Sequence, residues 1–299
     1  MIVLRMRMLD LGSLEIFRAV VREGGVVRAA SKLHRVQSNV TTRIKQLEQR
    51  LGVALFRRQG RALALTPAGE RLLVYSERLL RLADEAEAAV RGAPGGRPFR
   101  LGAMESTAAS RLPELLSRLH RALRDTQIEL QTGPTASLIQ QVREYRLDAA
   151  FVGEPFAREN LNVQPVFEEE LVLVTARRRN GIASPADLAG ETILAFARGC
   201  SYRRILEDWM SGAGAKPARI AELGSYHAII ACAAAGGGCG IVPVSVLNTL
   251  SAGRSVRRHA LPRSIAANRT HLVWTDDAAP AVLALLEHLA ACPPHPSPE

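Results

Sequence analysis

RAASKLHRVQSNVTTRIKQLEQRLGVALFRR, residues 28–58, is the stretch on which the fold turns. It reads as a short helix over about 27–34, a tight turn at Arg35-Val36-Gln37 and a second helix from about Ser38 to Arg50, two short helices in helix-turn-helix arrangement. Ala29 and Ala30 are small enough for another helix to approach closely, with Leu33 as the core residue of the first helix. Along the second helix, at about 100° per residue, Val40, Ile44 and Leu47 fall in one narrow arc and form the stripe to be buried. Ser38, Thr42, Lys45 and Gln49 then lie opposite, flanked by Asn39, Thr41 and Gln46. This outward face is hydrogen-bonding and nearly free of acids. Short polar side chains at the start of a helix, with cations further along, are what direct readout in a major groove requires.

Working outward, Leu11, Leu14, Phe17, Val20 and Val21 predict a helix over about 11–23, stopped by Glu23-Gly24-Gly25. Downstream, Leu55-Phe56-Arg57-Arg58, Gln59-Gly60-Arg61 and Ala62-Leu63-Ala64-Leu65-Thr66 read as a β-hairpin with three arginines at its tip, a wing that lies along a phosphate backbone. Thr66 as cap and Pro67 at the first helical position start a long helix that runs to about Arg91. Leu72, Ser76, Leu79, Ala83, Ala86 and Val90 give it a seam of coiled-coil period, expected to serve dimerisation or packing on its own chain. Gly92-Ala93-Pro94-Gly95-Gly96-Arg97-Pro98 breaks every pattern and is a hinge.

Charge is concentrated in the same third. Of a formal net charge of +10 over 299 residues, residues 1–92 carry +8, and Arg28 to Arg61 holds nine basic residues against the single acid Glu48. Such density is the footprint of phosphate contacts, although a solvated basic face in an arginine-rich chain, whose only lysines are Lys32, Lys45 and Lys216, has the same composition. At 47% hydrophobic and 23% charged, with no apolar run near the roughly 18 residues of a membrane span, the chain reads as a cytoplasmic globular protein. Its first residues lack a signal-peptide pattern, and Met8 is an alternative start. Cys200, Cys232, Cys239 and Cys292 match neither a zinc pattern nor a disulfide framework, so no metal and no cofactor is expected.

From Phe99 strands alternate with helices, which implies α/β architecture with mainly parallel sheets. The expected elements are strands 99–104, 127–132, 148–153, 171–175, 192–196, 240–243 and 270–275, and helices 106–123, 135–146, 201–211, 226–235 and 279–291. Ligands in such sheets bind beyond the carboxyl ends of strands, where helix N-termini present N–H groups. Three places meet that rule: Met104-Glu105-Ser106-Thr107, Gly199-Cys200-Ser201-Tyr202-Arg203 and Gly224-Ser225-Tyr226-His227. At the second, Ser201, the helix N–H groups and Arg203 are expected to hold a carboxylate or similar anion, with Tyr202 as wall and donor; Ser201 and Ser225 also suit simple helix caps, and Arg203 a surface position. Gly236-Gly237-Gly238-Cys239-Gly240 lacks the GK[ST] of a P-loop and reads as a helix stop.

At RAASKLHRVQSNVTTRIKQLEQRLGVALFRR and LTPAGERLL (65–73) the sequence resembles the LysR-type bacterial transcriptional regulators, over nearly the whole chain. Ala29-Ala30, Leu33-His34, Gln37, Ile44, Leu47-Glu48, Leu51-Gly52, Leu55-Phe56, Arg58 and Leu65-Thr66-Pro67-Ala68-Gly69 stand where that family has them. Ser38 departs from the family's usual proline, and Thr42 from its frequent arginine. The resemblance implies a multidomain α+β chain: a winged helix-turn-helix DNA-binding domain (8–66), a linker or dimerisation helix (67–91), a hinge (92–98), an effector-binding domain (99–292) and a disordered tail (293–299). The effector domain would have two α/β lobes similar to periplasmic solute-binding proteins, 99–162 with 263–291 and 163–262. By the resemblance Gln37, Ser38, Asn39, Thr41 and Thr42 face bases, and Arg28, Arg43, Lys45, Arg57, Arg58 and Arg61 phosphates. Ser106, Thr107, Ser201, Tyr202, Arg203, Ser225, Tyr226 and His227 are the candidate effector residues. The implied partners are double-stranded DNA, a small effector such as a carboxylate, and copies of the chain in a homodimer or a dimer of dimers, with RNA polymerase a further candidate at the promoter.

Two other functions compete with this one. Cys200, at a helix N-terminus near Arg203 and Arg204, would have a lowered pKa and sense oxidation, but no cysteine follows it until Cys232. An enzyme is not expected, because the chain has no HExxH, nucleophile elbow or dinucleotide fingerprint, and His227 has no triad partners.

Overall fold

The computed structural model describes residues 9–59, 62–91, 97–276 and 278–290. Gly60 and Arg61 at the wing tip, hinge residues 92–96, Cys292, the tail 293–299 and Met8 lie outside the described residues. The chain divides into two compact units, Met1–Arg97 and Pro98–Glu299.

In the first unit, α1 (Leu11–Arg22), α2 (Val26–Lys32) and α3 (Gln37–Leu51) precede a hairpin of β1 (Phe56–Gln59) and β2 (Ala62–Leu65) and the long α4 (Pro67–Arg91). Asp10 caps α1, accepting from the Ser13 N–H at 2.8 Å and the Ser13 hydroxyl at 2.7 Å, and Arg50 at the end of α3 pairs with it at 2.9 Å. The Ser13 hydroxyl, more than Arg50, holds the Asp10 carboxyl below its ordinary pKa. The core joins Ile16, Phe17 and Val20 of α1, Ala29 and Ala30 of α2, Leu55, and the expected Val40, Ile44 and Leu47 stripe of α3. At full apolar burial each large side chain contributes roughly 1.5–3 kcal/mol.

Two local devices fix the wing. The Glu48 carboxylate accepts the backbone N–H groups of Leu55 at 2.7 Å and Phe56 at 3.2 Å, so the one acid of the basic stretch turns inward and pins the strand entry. Thr66 caps α4, accepting from the Gly69 N–H at 3.1 Å and donating to the Ala54 carbonyl at 2.7 Å. A Cβ on Gly69 would stand 2.2 Å from the Leu55 carbonyl oxygen, so this turn of helix packs on the backbone itself. Buried Glu77 of α4 takes both oxygens to Arg22 at 2.9 Å.

The expected seam of α4 is divided. Ser76 is buried and Leu72 packs on the core of its own unit, whereas Leu79 is 39% and Val90 89% exposed. The apolar side chains left facing solvent include Tyr75, Leu79 and Leu82, at spacings of four and three.

The second unit is built on two sheets that share one strand. The first contains β4 (Ile128–Thr132), β3 (Phe99–Ala103) and β5 (Ala149–Gly153) in parallel, then β11 (Ala267–Trp274) antiparallel to β5 and to the first part of β6 (Asn162–Ala176). From Leu171 to Ala176 the same strand pairs with β9 (Gly240–Pro243) and β10 (Val256–Ala260) of the second sheet, beside which β7 (Thr192–Ala195) and β8 (Arg219–Glu222) run parallel. Arg111 starts a break that replaces the single helix expected over 106–123 by α5 (Glu105–Ser110) and α6 (Leu112–Ala122). Also placed on the sheets are α7 (Thr135–Arg143), α8 (Ser201–Gly212), α9 (Tyr226–Ala234), α10 (Val244–Thr249), α11 (Arg263–Ala266) and α12 (Pro280–Ala290).

The expectation of mainly parallel sheets is corrected at β6, β9, β10 and β11, whose pairings are antiparallel. Within β6 the pairing passes from the first sheet to the second between Glu170 and Leu171, so one continuous strand carries the chain across. Residues 162–170 carry no strand signal in the sequence: their alternate positions are half-exposed or acidic, as in Gln164, Glu168 and Glu170, so the apolar signal starts only at Leu171.

Candidate functional site

On the first unit, the helix α3 rests on its buried stripe and presents Gln37, Ser38, Asn39 and Thr42 to solvent at its N-terminal end. Thr41 is half-buried, its hydroxyl donating to the Gln37 carbonyl at 2.9 Å, so its polar group is engaged along the helix. Arg43, Lys45, Arg57 and Arg58 are exposed and make no ion pair among the described residues. Arg28 differs: its guanidinium donates to the carbonyls of Glu23 and of Gly24, the latter at 3.1 Å, and so caps the C-terminal end of α1. His34 takes up the left-handed turn between α2 and α3 at φ 52.

In the second unit two chambers open between the sheets, beyond the carboxyl ends of parallel strands. The smaller, about 220 Å³, gathers residues following β3 (Met104, Glu105, Ser106), β4 (Thr132, Thr135), β7 (Phe196) and β8 (Leu223), closed by Tyr202 and Tyr226. The larger, about 500 Å³, lies between α7, the segment after β5 and the start of α8, with Arg143, Arg198, Arg203 and Arg204 on its wall. Thr135 and Cys200 line both. The chambers meet where the Ala136 N–H donates to the Gly199 carbonyl at 3.2 Å. Gly199 sits at φ 95, and a Cβ there would approach that of Ala136 to 3.2 Å, so close contact of the lobes requires glycine.

In the smaller chamber Ser106, Thr135, Tyr202 and Tyr226 are buried and Glu105 is half-buried. Burial raises the Tyr202 and Tyr226 phenols, whose surroundings include the Ser106 hydroxyl. Burial also raises Glu105, opposed by the Tyr226 backbone N–H and the charge of His227; its Oε2 is buried with no hydrogen-bond partner. Ser201 is buried with its hydroxyl 3.9 Å from the Met104 sulfur.

Ser106, Tyr202 and Tyr226 thus line the smaller chamber and Ser201 and Arg203 the larger. Three candidates line neither. Thr107 is buried at 1% exposure, Ser225 caps α9 by accepting the Ala228 N–H at 3.2 Å, and His227 is exposed. The role expected of Arg203 is corrected. At 6% exposure it pairs with Glu207 at 2.8 Å and Glu222 at 2.6 Å and donates to the Phe196 carbonyl at 3.1 Å, so its charge is already compensated. Arg198, on the same wall, is exposed and shows no ion pair. It lies three residues before the first residue of α8, outside the helix-start pattern that marks the neighbouring residues. Glu105 and the turn before Thr135 were legible by the strand-end rule but carried no weight in the sequence.

Cys200 is also corrected: burial raises its thiol against the lowering effect of the Arg203 and Tyr202 N–H groups, so the low pKa expected of an oxidation sensor is absent. Burial likewise pushes Cys239 up to about 12. Among the described residues no group of side chains could hold a metal ion, and no helix is long and apolar enough to cross a membrane.

Residues 11–70 match the family model of bacterial regulatory helix-turn-helix proteins of the lysR family, and residues 92–292 that of the LysR substrate binding domain. The chain is a LysR-type transcriptional regulator. It is 38% identical over 280 residues to the HTH-type transcriptional regulator GltR of Bacillus subtilis, covering 92% of this regulator and 94% of that one. Among solved structures, ArgP from Mycobacterium tuberculosis has a TM-score of 0.69 at 22% identity, covering 95% of this chain and 97% of that one. Full-length CbnR complexed with its target DNA has a TM-score of 0.62 at 23% identity, covering 95% and 99%. The regulator therefore combines a DNA-binding winged helix-turn-helix with an effector-binding domain, and its relatives are transcriptional regulators, not enzymes.

Proposed function

We propose that this regulator reads a specific operator as a homodimer or a dimer of dimers, in the cytoplasm, and that a small metabolite with an anionic group, seated in the cleft of the second unit, changes that binding. Gln37, Ser38, Asn39 and Thr42 read base edges, with Thr41 shaping the helix start. Arg43, Lys45, Arg57, Arg58 and Arg61 neutralise phosphates, and Arg28 adds to them while capping α1. The boundaries 8–66, 67–91, 92–98 and 99–292 divide DNA binding, dimerisation, hinge and effector binding, and RNA polymerase is the further partner at the promoter. The observation that carries the reading is the outward face of α3, short and polar at its N-terminal end and bordered by cations without internal ion pairs. The CbnR complex with its target DNA supports the placement of this unit on a duplex.

For the effector, Arg198 and the start of α8 supply the anion contact, in place of Arg203. The effector acts only through a difference in affinity between two assemblies of the regulator. Selection of bound sequences from a random duplex library, followed by binding at several salt concentrations, tests the first half: an enriched motif and a steep salt slope are expected, and binding without preference refutes it. A thermal-shift screen of metabolite anions on the wild type, Arg198→Ala and Arg203→Ala tests the second. A ligand at about 100 times its dissociation constant stabilises by roughly 2.7 kcal/mol, and loss of the shift in Arg198→Ala is the expected result.

A further inference from the structure

We propose that the smaller chamber receives an ammonium group against Glu105, so that the effector is a compact zwitterion, an amino-carboxylate, rather than a simple acid. The proposal rests on the cleft being the effector site and adds the second charge. Oε2 of Glu105 is buried with no hydrogen-bond partner, an arrangement that is costly until a donor arrives. The Tyr226 backbone N–H and the charge of the solvent-exposed His227 favour the carboxylate form, and the chamber is otherwise walled by apolar, hydroxyl and thiol side chains. An anion placed there alone would face a carboxylate. A cation would meet both a charge and a vacant acceptor, with the aromatic rings of Tyr202, Tyr226 and Phe196 around its stem.

The anionic end has its own place. Arg198 stands on the larger chamber, and the two chambers share Thr135 and Cys200, so one short molecule spans them when, as in an acidic amino acid, its ammonium sits in the smaller chamber and a side-chain carboxylate reaches the larger. At about 220 Å³ the smaller chamber is below the roughly 300–1,000 Å³ of drug-sized sites, which favours a small amine-bearing end over a bulky group.

The test uses the full-length protein and three matched probe series: the standard amino acids, the same molecules without the amine, and the same molecules without the carboxylate. Thermal shift identifies binders and calorimetry measures them, on wild type, Glu105→Gln and Ala197→Trp, the last chosen to block the smaller chamber. Glu105→Gln keeps the side-chain shape, and its melting point without ligand checks folding. The expected result is an amino acid that binds roughly ten- to hundredfold more tightly than its amine-free counterpart, a difference lost in Glu105→Gln. Equal binding of the amine-free acid, or unchanged amino-acid affinity in Glu105→Gln, overturns the ammonium assignment while binding abolished by Ala197→Trp upholds the cleft. Binding that survives Ala197→Trp, or no binder in any series, overturns both.

Discussion

Replacing Arg203 by alanine separates a structural arginine from an anion anchor. The side chain is 6% exposed and makes three bonds, to Glu207 at 2.8 Å, to Glu222 at 2.6 Å and to the Phe196 carbonyl at 3.1 Å. A charged hydrogen bond contributes about 1.5–3 kcal/mol when buried. Glu207 is 41% and Glu222 54% exposed, so both recover water when the arginine is lost, and about 1 kcal/mol for each is the discounted figure. With about 1 kcal/mol for the carbonyl bond, the total is about 3 kcal/mol. For a unit of some 200 residues this lowers the melting temperature by roughly 6–12 °C. Differential scanning calorimetry of the full chain reads that loss in the transition of the second unit, and the same protein is titrated with any ligand the screen provides. Arg203→Ala is expected to melt early yet keep its ligand affinity within about threefold, equivalent to less than 1 kcal/mol, whereas Arg198→Ala melts normally and binds weakly. An Arg203→Ala protein of unchanged melting temperature that no longer binds ligand would refute the reasoning, because it would make the two carboxylates irrelevant and the guanidinium a true anchor.

Thr42→Ala should change the preferred sequence in a selection experiment, whereas Arg58→Ala should weaken all duplexes about equally and lower the salt slope by about one; equal loss of preference in both would reverse the assignment of faces. Gly69→Ala should destabilise the first unit by at least about 2 kcal/mol in urea titration, since its Cβ meets the Leu55 carbonyl at 2.2 Å and Leu65 at 2.8 Å; a neutral result would mean α4 can shift freely. Burial, only partly opposed by Glu154, lowers the pKa of His271, and burial also lowers that of His259. A depressed histidine contributes stability above the unfolded value of about 6.5 that is lost as pH falls. The second unit should therefore lose melting temperature on acidification from neutral pH, and His271→Gln should flatten that slope.

The first unit was legible because its signals are local. A stripe at Val40, Ile44 and Leu47 repeats every three or four residues, and Thr66-Pro67 caps a helix with atoms three residues away. Periodicity and capping depend on neighbours in sequence, and both are visible there. The second unit was legible where a strand is apolar but for one residue, as at Leu171 to Ala176 with its single Thr175, and was lost where a strand alternated weakly or lay at an edge, as at 162–170, β8 and β10. The helix break at Arg111 has a local signal, Pro113, which a helix tolerates only in its first turn and which therefore marks the start of α6.

Electrostatic roles failed to transfer because the deciding partner is distant in sequence. Arg203 and Arg198 differ little in sequence, both arginines near a helix start, yet one is enclosed by Glu207 and Glu222 and the other is open. The partner that decides the matter, Glu222, is 19 residues on, at the end of β8, and becomes a neighbour only because β8 runs parallel to β7. Glu48 makes the same point with the opposite sign: as the single acid among nine bases it looks like a defect in a DNA-binding face, but its carboxylate is taken by the backbone of Leu55 and Phe56 and leaves that face positive. A charge count therefore identifies which unit meets an anion. Which cation meets it depends on the partners each one lacks inside the fold, the ground on which we propose Arg43, Lys45, Arg57 and Arg58 for DNA and Arg198 for the effector.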